Sequence, residues 1–483
     1  MKKNYIVAID AGTTSVRVLM YDAQMRVVRK QQQEFTQYYP KPGWVEHDAD
    51  EIWRVTQRLL NTVLKGKEKT VAAIGITNQR ETTVVWDALT GKPIHNAIVW
   101  QDRRTTDACV SLQKRGYEKL IQSSTGLVLD PYFSGTKVAW LLDHVRGARK
   151  KTAAGTLRFG TIDSWLIWKL TKGKVHATDF TNASRTMLYN IKMKKWDAQL
   201  LKILKVPASV LPEVRNSSDD YGMYRGIPIT GVVGDQQAAL FGQGGVKKGD
   251  AKNTYGTGLF LLMNIGKKFA RSKNGLLTTL TPDAHGKPMY ALEGSVFMGG
   301  AIMQWLRDEL GILKHAADAG KIASSVQDTH GVVLVPAFAG LGAPYWKPEA
   351  RGVITGLTRG VNRKHIIRAA EEAIAYQVMD LVYAMEKDSG TKLKELFVDG
   401  GAAQDNFIMQ FQADMLQRTV IRPKDLETTV RGAAMLAATY VGFRIQRQKA
   451  PAQNGQVIFK PKMKPLDRKL HVDQWSISIS DLL

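Results

Sequence analysis

The fold is decided near the amino terminus by the stretch Ile6-Val7-Ala8-Ile9-Asp10-Ala11-Gly12-Thr13-Thr14-Ser15-Val16-Arg17-Val18-Leu19-Met20-Tyr21. Two apolar runs flank a short segment of small and polar residues, a pattern that predicts two strands joined by a tight turn. Gly12 supplies the backbone freedom that such a turn needs. The run before Asp10 is too short for a signal sequence, so we interpret it as a strand.

A second glycine-threonine turn lies far downstream, at Asn253-Thr254-Tyr255-Gly256-Thr257-Gly258, and the apolar run 259–263 follows it. A third variant, at residues 396–402, is an apolar run that ends in a glycine turn. Such recurrence indicates a duplicated architecture. The glycine-rich stretch 241–245 marks the boundary, which predicts domains at 1–243 and 244–483.

Apolar periodicity predicts helices at 50–65, 363–387 and 405–416. Strands and helices alternate in both halves of the chain, and this mixture predicts α/β layers. The sequence contains no low-complexity segment and no long flexible linker.

Glycine-threonine turns suit phosphate binding, because successive backbone N–H groups form an anion-binding nest without side-chain obstruction. Taken alone, each turn is more typical of a purely structural hairpin, and it is the pair of turns beside apolar strands that favours phosphate binding. Asp10 ends the first strand beside its turn, where a carboxylate either holds magnesium-bound water or caps the turn. Asp235 follows an apolar segment and opens a helix-like run, so it is either a helix N-cap or a general base.

Polar and aromatic residues follow other apolar runs. Arg80 and Glu81 come after the strand-like residues 74–77, Trp100 ends the run 97–99, and Tyr132 lies in Asp130-Pro131-Tyr132-Phe133-Ser134. An Arg–Glu pair can bind neighbouring hydroxyls of a polyol while aromatic rings cover its carbon face. Taken singly, these residues are also typical of a surface ion pair and buried aromatics.

The bulk composition is that of an ordinary globular protein, with 44% apolar and 23% charged residues. Cys109 is the only cysteine, which excludes an intramolecular disulfide and fits a reducing compartment. No stretch approaches the length of a membrane span. The net charge of +24 is scattered in small groups without a nucleic-acid-binding motif, so we interpret it as a solvated basic surface.

Several longer runs resemble the glycerol kinases of the FGGY carbohydrate-kinase family, over almost the whole chain up to the carboxyl-terminal tail. The matching runs are Tyr39-Pro40-Lys41-Pro42-Gly43-Trp44-Val45-Glu46-His47-Asp48, Gly75-Ile76-Thr77-Asn78-Gln79-Arg80-Glu81-Thr82-Thr83, Tyr132-Phe133-Ser134-Gly135-Thr136-Lys137-Val138-Ala139-Trp140 and Thr181-Asn182-Ala183-Ser184-Arg185-Thr186. The resemblance implies an α/β protein with two ribonuclease-H-like, actin-type ATPase domains around a central cleft. It also implies phosphorylation of glycerol by ATP with Mg²⁺.

The resemblance assigns roles residue by residue. It makes Asp235 the general base, with Arg17 and Asp10 as the other catalytic residues, and it places magnesium on Asp10 through water. The implied substrate contacts are Arg80, Glu81, Trp100, Tyr132, Asp235, Gln236 and Phe260. The implied nucleotide contacts are Thr13, Thr14, Ser15 and Arg17 in the first turn and Thr257, Gly300, Gln304, Gly401 and Asp405 in the second half.

Four positions depart from the family pattern: Ala11, Glu371, Asp405 and Arg431. None of these departures removes the base, the phosphate turns or the polyol contacts, so we expect an active enzyme. Residues 217–226 lack the glycine-rich loop that binds fructose 1,6-bisphosphate in some bacterial relatives, and they contain no histidine.

The resemblance further implies a cytoplasmic homodimer or homotetramer with glycerol and ATP as partners and no nucleic acid. Three other functions stay open: a related kinase acting on another polyol or a ketose, a catalytically silent binding protein, and a basic nucleic-acid-binding protein.

Overall fold

A computed structural model describes residues 3–338, 340–347, 349–424, 427–445 and 456–483. The strands are β1 (Tyr5–Ala11), β2 (Ser15–Tyr21), β3 (Val27–Glu34), β4 (Glu46–His47), β5 (Val71–Asn78), β6 (Val84–Asp87), β7 (Lys92–Pro93), β8 (Ala97–Ile98), β9 (Leu157–Gly160), β10 (Ala177–Asp179), β11 (Tyr189–Asn190), β12 (Lys195–Trp196), β13 (Glu213–Arg215), β14 (Met223–Tyr224), β15 (Ile227–Gly234), β16 (Asp250–Tyr255), β17 (Leu259–Gly266), β18 (Leu277–Pro282), β19 (Pro288–Val296), β20 (Val333–Val335), β21 (Val353–Thr355), β22 (Glu395–Asp399), β23 (Thr419–Arg422) and β24 (Val457–Phe459).

The α-helices are α1 (Ala49–Leu64), α2 (Thr106–Lys114), α3 (Glu118–Thr125), α4 (Ser134–His144), α5 (Ala148–Ala153), α6 (Ile162–Leu170), α7 (Phe180–Ala183), α8 (Ala198–Leu204), α9 (Asp235–Gly242), α10 (Ala301–Asp308), α11 (Ala319–Ala323), α12 (Arg363–Ser389), α13 (Asn406–Leu416), α14 (Thr428–Tyr440) and α15 (Pro465–Ser480). The three predicted helices are confirmed as α1, α12 and α13, with boundaries that differ by one or two residues. Asp405, predicted as the first residue of its helix, is instead the N-cap of α13 and accepts from the backbone N–H of Phe407.

The chain folds into two compact units. Unit 1 contains the described residues up to Val246, the segment Thr278–Tyr290 and residues 427–445, and unit 2 contains the remainder. The predicted division at residue 243 lies three residues before the end of the first segment of unit 1. The prediction of two contiguous halves differs from these units, because two later segments return to unit 1.

Unit 1 is built on a six-stranded sheet in the order β14-β15-β5-β1-β2-β3. Strand β1 pairs antiparallel with β2 and parallel with β5, as the opening sequence pattern predicts for the hairpin. Alternate residues of β1 enter two separate apolar cores: Val7 and Ile9 pack on the side of α1, and Ile6 and Ala8 on the side of α14. Both faces of the sheet are therefore covered by helices.

Helix α14 belongs to unit 1 because glycines let it approach the sheet very closely. A Cβ atom on Gly75 of β5 would lie 2.3 Å from the carbonyl oxygen of Ala433. On Gly231 of β15 it would lie 2.5 Å from the backbone nitrogen of Ala437. This backbone-to-backbone packing joins the carboxyl-terminal region to the first sheet, a contact that local sequence patterns do not reveal.

Unit 2 is built on a second sheet, in which β17, β16, β22, β23 and β24 are neighbours in that order. Strand β16 pairs antiparallel with β17 and parallel with β22, which repeats the pairing of β1 with β2 and β5. The two glycine-threonine turns thus occupy equivalent places in two separate sheets. The tail forms α15, whose Trp475 stacks on Tyr376 of α12 with ring centroids 5.1 Å apart.

Candidate active site

Three parallel strands of unit 1 end at one edge of the sheet. The register pairs Ala11 of β1 with Asn78 of β5, and Asn78 with Gly234 of β15. Residues that follow these strand ends therefore meet, as is usual for binding sites in open α/β sheets. Asp10 at the end of β1, Arg80 and Glu81 after β5, and Asp235 after β15 are brought to this edge.

The first turn is held by hydrogen bonds from neighbouring glutamines. The Gly12 N–H donates to the Ser15 carbonyl over 3.0 Å, which closes the turn. Gln79 Nε2 donates to the carbonyl of Gly12 over 3.0 Å, and Gln37 Nε2 donates to that of Thr13 over 3.1 Å. These bonds occupy carbonyl groups of the turn, whereas the side chain of Thr14 is exposed.

Arg17 lies opposite Asp10 in the register of β1 and β2. Its guanidinium donates to Asp10, and its Nη1 also donates to Glu427 Oε2 over 2.8 Å. Burial raises the pKa of Asp10, and the nearby Arg17 opposes that rise. The pair places one cation and one carboxylate directly beside the first turn.

Asp235 is the first residue of α9, directly after the strand end. Its Oδ1 accepts from the Gln236 N–H over 2.7 Å, while Gly234 occupies the N-cap position. Oδ1 also lies 3.3 Å from Nε of Arg80. The Asp235 side chain is 31% exposed and that of Arg80 only 2%, so the carboxylate is accessible while its cationic partner is fixed in the protein.

The backbone before Asp235 is fixed by a buried polar chain. The Gly234 N–H donates to Thr181 Oγ1 over 2.8 Å, and that hydroxyl donates to both carboxylate oxygens of Asp179 at 2.7 and 2.9 Å. A Cβ atom on Gly234 would lie 2.7 Å from Cδ of Arg80, so position 234 must be glycine for the Arg80 side chain to pack against this backbone. The position of Asp235 is thus set by residues from two other segments.

Glu81 is buried and has a left-handed backbone conformation, with φ of 61°. Its Oε1 lies 2.5 Å from Nε of Arg185 and 3.8 Å from Nε of Arg80. A non-glycine residue in this region stores strain that the surrounding structure must hold, a frequent feature of binding sites. Glu81 is therefore a carboxylate held between two guanidinium groups.

Sequence reasoning did not assign a role to Arg185. Its fully buried guanidinium lies 5.3 Å from the ring centroid of Tyr132 and 5.1 Å from that of Phe133. The sequence did contain a signal for Arg185. The residue stands in the run 181–186, which resembles the FGGY family, and it is flanked by small and uncharged residues.

The two predicted aromatic residues meet. The rings of Trp100 and Tyr132 lie 5.5 Å apart at an interplanar angle of 66°. Trp100 Nε1 donates to Thr13 Oγ1 over 3.0 Å, which links the aromatic pair to the first turn. Both side chains are partly exposed. Unit 1 thus brings together the aromatic pair, the Arg80–Glu81 pair, Asp235 and the first turn.

Unit 2 assembles its own glycine-rich group. The Gly300 N–H donates to the Gly256 carbonyl over 2.8 Å, and the Gly299 N–H donates to the Thr257 carbonyl over 2.8 Å. A Cβ atom on Gly300 would lie 3.9 Å from Cβ of Ala402, the neighbour of Gly401. Thr257 and Gly401 are exposed, so this group presents backbone and hydroxyl donors to solvent.

The other predicted residues of unit 2 lie around this group. Gln304 is exposed on α10, whose N-cap is Gly300. Phe260 is partly buried on β17, directly after the turn. Asp405 follows the short helical turn Ala402–Gln404. The carboxylate of Asp405 abuts α11, because a Cβ atom on Gly320 would lie 2.1 Å from both of its oxygens.

Among the four departures, Glu371 has the most unusual environment. It is buried on α12, and its Oε2 has no hydrogen-bond partner among the described residues. Burial raises its pKa well above the usual range, and the charge of Asp405 adds to the rise. Ala11 is buried in β1, and Arg431 is partly buried on α14. Nothing in the structure explains the choice of arginine at that position.

Two kinds of feature are absent from the described residues. No helix there is long and apolar enough to cross a membrane. Within the same ranges, no group of three histidine, cysteine, aspartate or glutamate side chains is arranged to ligate a metal ion directly.

Comparison with known proteins gives extensive matches. Residues 5–242 match the N-terminal domain of the FGGY family of carbohydrate kinases, and residues 251–440 match its C-terminal domain. A glycerol kinase of Brachyspira hyodysenteriae is 59% identical over 446 residues, covering 91% of this chain and 90% of the relative. A glycerol kinase of Petrotoga mobilis is 56% identical, covering 99% of this chain and 98% of the relative.

Solved structures agree with these matches. The structure of Plasmodium falciparum glycerol kinase with ADP superposes with a TM-score of 0.94 at 37% identity, covering 100% of this chain and 99% of the other. A xylulose kinase of Lactobacillus acidophilus shares the fold, with a TM-score of 0.87 at 20% identity, covering 99% of this chain and 97% of the other. The predicted α/β fold class, two domains of the actin-type ATPase kind, is confirmed.

Proposed function

Since this chain belongs to the FGGY family of carbohydrate kinases, we propose that it transfers the γ-phosphate of ATP to a terminal hydroxyl of glycerol. The products are glycerol 3-phosphate and ADP. The observation that carries this proposal is the partly exposed Asp235 carboxylate, 3.3 Å from the buried Arg80 guanidinium, which itself lies beside the buried Glu81.

We propose that glycerol binds at the sheet edge of unit 1. Arg80 donates to its hydroxyls and Glu81 accepts from them, while the rings of Trp100 and Tyr132 cover its carbon face. Phe260 and Gln236 complete the proposed contacts. A substrate without one of these hydroxyls loses a hydrogen bond to a buried charged group, which penalises its binding.

Asp235 is proposed as the general base. Its carboxylate accepts the proton of the terminal hydroxyl as that oxygen bonds to the γ-phosphorus. The bond between this phosphorus and the β,γ-bridging oxygen breaks, and ADP leaves with that oxygen. Exposure of the Asp235 side chain lets it reach substrate, and the bond from the Gln236 N–H fixes its direction.

The nucleotide contacts are proposed in both units. Thr13, Thr14, Ser15 and Arg17 supply hydroxyl, amide and guanidinium donors for phosphate oxygens in unit 1. Thr257, Gly300, Gln304, Gly401 and Asp405 are the proposed contacts in unit 2, where the glycines leave backbone groups accessible. Arg17 offsets charge on the phosphoryl group during transfer.

Magnesium fits this donor set as an ion that keeps most of its waters. Asp10 offers one carboxylate beside the first turn, and the described residues hold no cluster that would ligate the metal directly. We propose Asp10 as the residue that holds Mg²⁺ through water. Bound with ATP, the ion would neutralise phosphate charge.

The test is ADP release by the protein with magnesium-ATP and, in parallel, glycerol, erythritol or xylulose. We expect glycerol to give the highest kcat/KM. A higher value for erythritol or xylulose would instead assign the chain to another substrate of the same family. ADP release that is independent of all three would contradict the proposal.

We also propose that the enzyme acts in the cytoplasm as a homodimer or homotetramer, with glycerol and ATP as its partners and without nucleic acid. The single cysteine, Cys109, is buried and free, which is compatible with a reducing compartment. Light scattering after gel filtration measures the oligomeric state, and a monomer would contradict this part of the proposal.

A further inference from the structure

A fully buried lysine, Lys137, lies in the first turn of α4. Its Nζ donates to the carbonyl of Tyr132 over 2.7 Å and approaches the carbonyl of Trp100 at 3.5 Å. These two carbonyls belong to the two aromatic residues of the proposed polyol site. One ammonium group therefore connects the backbones of two separate segments, each of which carries one ring.

The first turn of α4 also contacts Glu81, the acidic residue of the proposed polyol site. Ser134, the first residue of α4, donates from Oγ to the carbonyl of Glu81 over 2.9 Å. The first turn of α4 thus contacts the backbone of three proposed glycerol ligands. None of these contacts involves a side chain that the substrate itself would touch.

Several charged or titratable groups face the ammonium. Burial lowers the pKa of Lys137 to about 7, and the charges of Glu81, Asp102 and Asp130 oppose that change while Arg103 adds to it. The Cys109 thiol on α2 also interacts with this charge, and burial keeps that thiol protonated at neutral pH by raising its pKa to about 12. The charge on Lys137 is thus lost as pH rises through neutrality.

We propose that Lys137 is a positioning residue for the polyol, since its ammonium joins the Trp100 and Tyr132 carbonyls and so fixes the spacing of the two rings. The proposal rests on the proposed function, because it takes these rings as glycerol contacts. Hydrogen bonds from a charged donor are about twice as strong as neutral ones. Loss of the charge therefore loosens the rings without removing any group that touches ATP or the transferred phosphate.

The test compares the wild type with Lys137→Met, which keeps an unbranched side chain of similar length and removes the ammonium. We expect KM for glycerol to rise on the order of tenfold. The kcat and KM for ATP should change less than about twofold. Lys114→Met, at an exposed position on α2, is the matched control and should leave all three constants unchanged.

A second readout keeps the test decisive if Lys137→Met folds poorly. In the wild type, KM for glycerol should rise as pH increases from 6 to 9, while the KM values of a folded Lys137→Met protein should lose that dependence. A pH-independent KM in the wild type would overturn the proposal. Equal losses in glycerol and ATP constants would overturn it too, since they would indicate a merely structural role.

The two proposals fail in different ways. If the wild type shows no glycerol-dependent turnover, the proposed function itself is wrong. If the wild type turns over glycerol normally and Lys137→Met keeps the wild-type KM at every pH, only the role of Lys137 is refuted.

Discussion

Replacing Arg185 by methionine should destabilise unit 1 and weaken the binding of glycerol. The guanidinium lies 2.5 Å from the Glu81 carboxylate, and both side chains are at most 1% exposed. Breaking a buried pair by removing one partner costs about 3–5 kcal/mol, because the remaining charge stays buried. Arg80 still lies 3.8 Å from the same oxygen, so we expect the lower value, about 3 kcal/mol.

Thermal unfolding followed by calorimetry measures this loss. About 3 kcal/mol corresponds to a fall in Tm of roughly 6–12 °C for a domain of this size. Arg103→Met is the matched control: Arg103 forms an exposed pair with Asp130 at 2.7 Å, and we expect a loss of less than about 1 kcal/mol.

A double mutant separates charge from packing. In Arg185→Met/Glu81→Gln the buried carboxylate is gone, so the Tm should recover part of its loss while glycerol binding stays weak. An Arg185→Met protein that melts within about 1 °C of the wild type would refute the reasoning. So would a double mutant that is less stable than Arg185→Met alone.

Three further predictions concern the base, the aromatic pair and a buried acid. Asp235→Asn should lower kcat about 10²–10⁴-fold while glycerol affinity, measured by calorimetry, stays within about threefold; near-wild-type turnover would contradict the base assignment. Trp100→Ala should raise KM for glycerol, whereas Trp100→Phe, which keeps a ring but loses the bond to Thr13, should raise it less; an unchanged glycerol affinity in Trp100→Ala would refute the packing role. Burial raises the pKa of Asp380 to about 6, although its bonds from Trp475 and Tyr345 oppose the rise. The protonated form is therefore favoured by folding, and stability falls as pH rises from about 4 through 6. Asp380→Asn should raise the free energy of unfolding at pH 7 by up to about 3 kcal/mol and leave it unchanged at pH 4, as urea denaturation can measure; equal effects at both pH values would contradict this explanation.

Local patterns predicted the elements that carry the site. The run ending at Asp10 and the apolar segment before Asp235 are both strands, as their apolar character and the neighbouring glycine turns indicate. Their carboxyl ends lie at one sheet edge. Arg80 and Glu81 follow β5 and Asp235 follows β15, so the position of polar residues directly after apolar runs singled out all three. Their roles, and the choice of glycerol, came from the family resemblance.

Local sequence patterns could not predict the long-range contacts. Arg185 and Lys137 are buried cations. Arg185 pairs with Glu81, 104 positions away, and Lys137 approaches the Trp100 carbonyl, 37 positions away, so neither periodicity nor spacing distinguishes them from surface residues. The return of α14 to unit 1 depends on the absence of a Cβ atom at Gly75 and Gly231. That requirement becomes visible only when the helix is placed against the strands.

The most direct test of the central claim is the identity of the product. The wild type and Asp235→Asn are incubated with glycerol and magnesium-ATP, and the products are followed by ³¹P NMR and mass spectrometry. The account predicts one glycerol 3-phosphate for each ADP in the wild type and almost none in the variant. ADP without phosphorylated glycerol, or equal rates in both proteins, would contradict it.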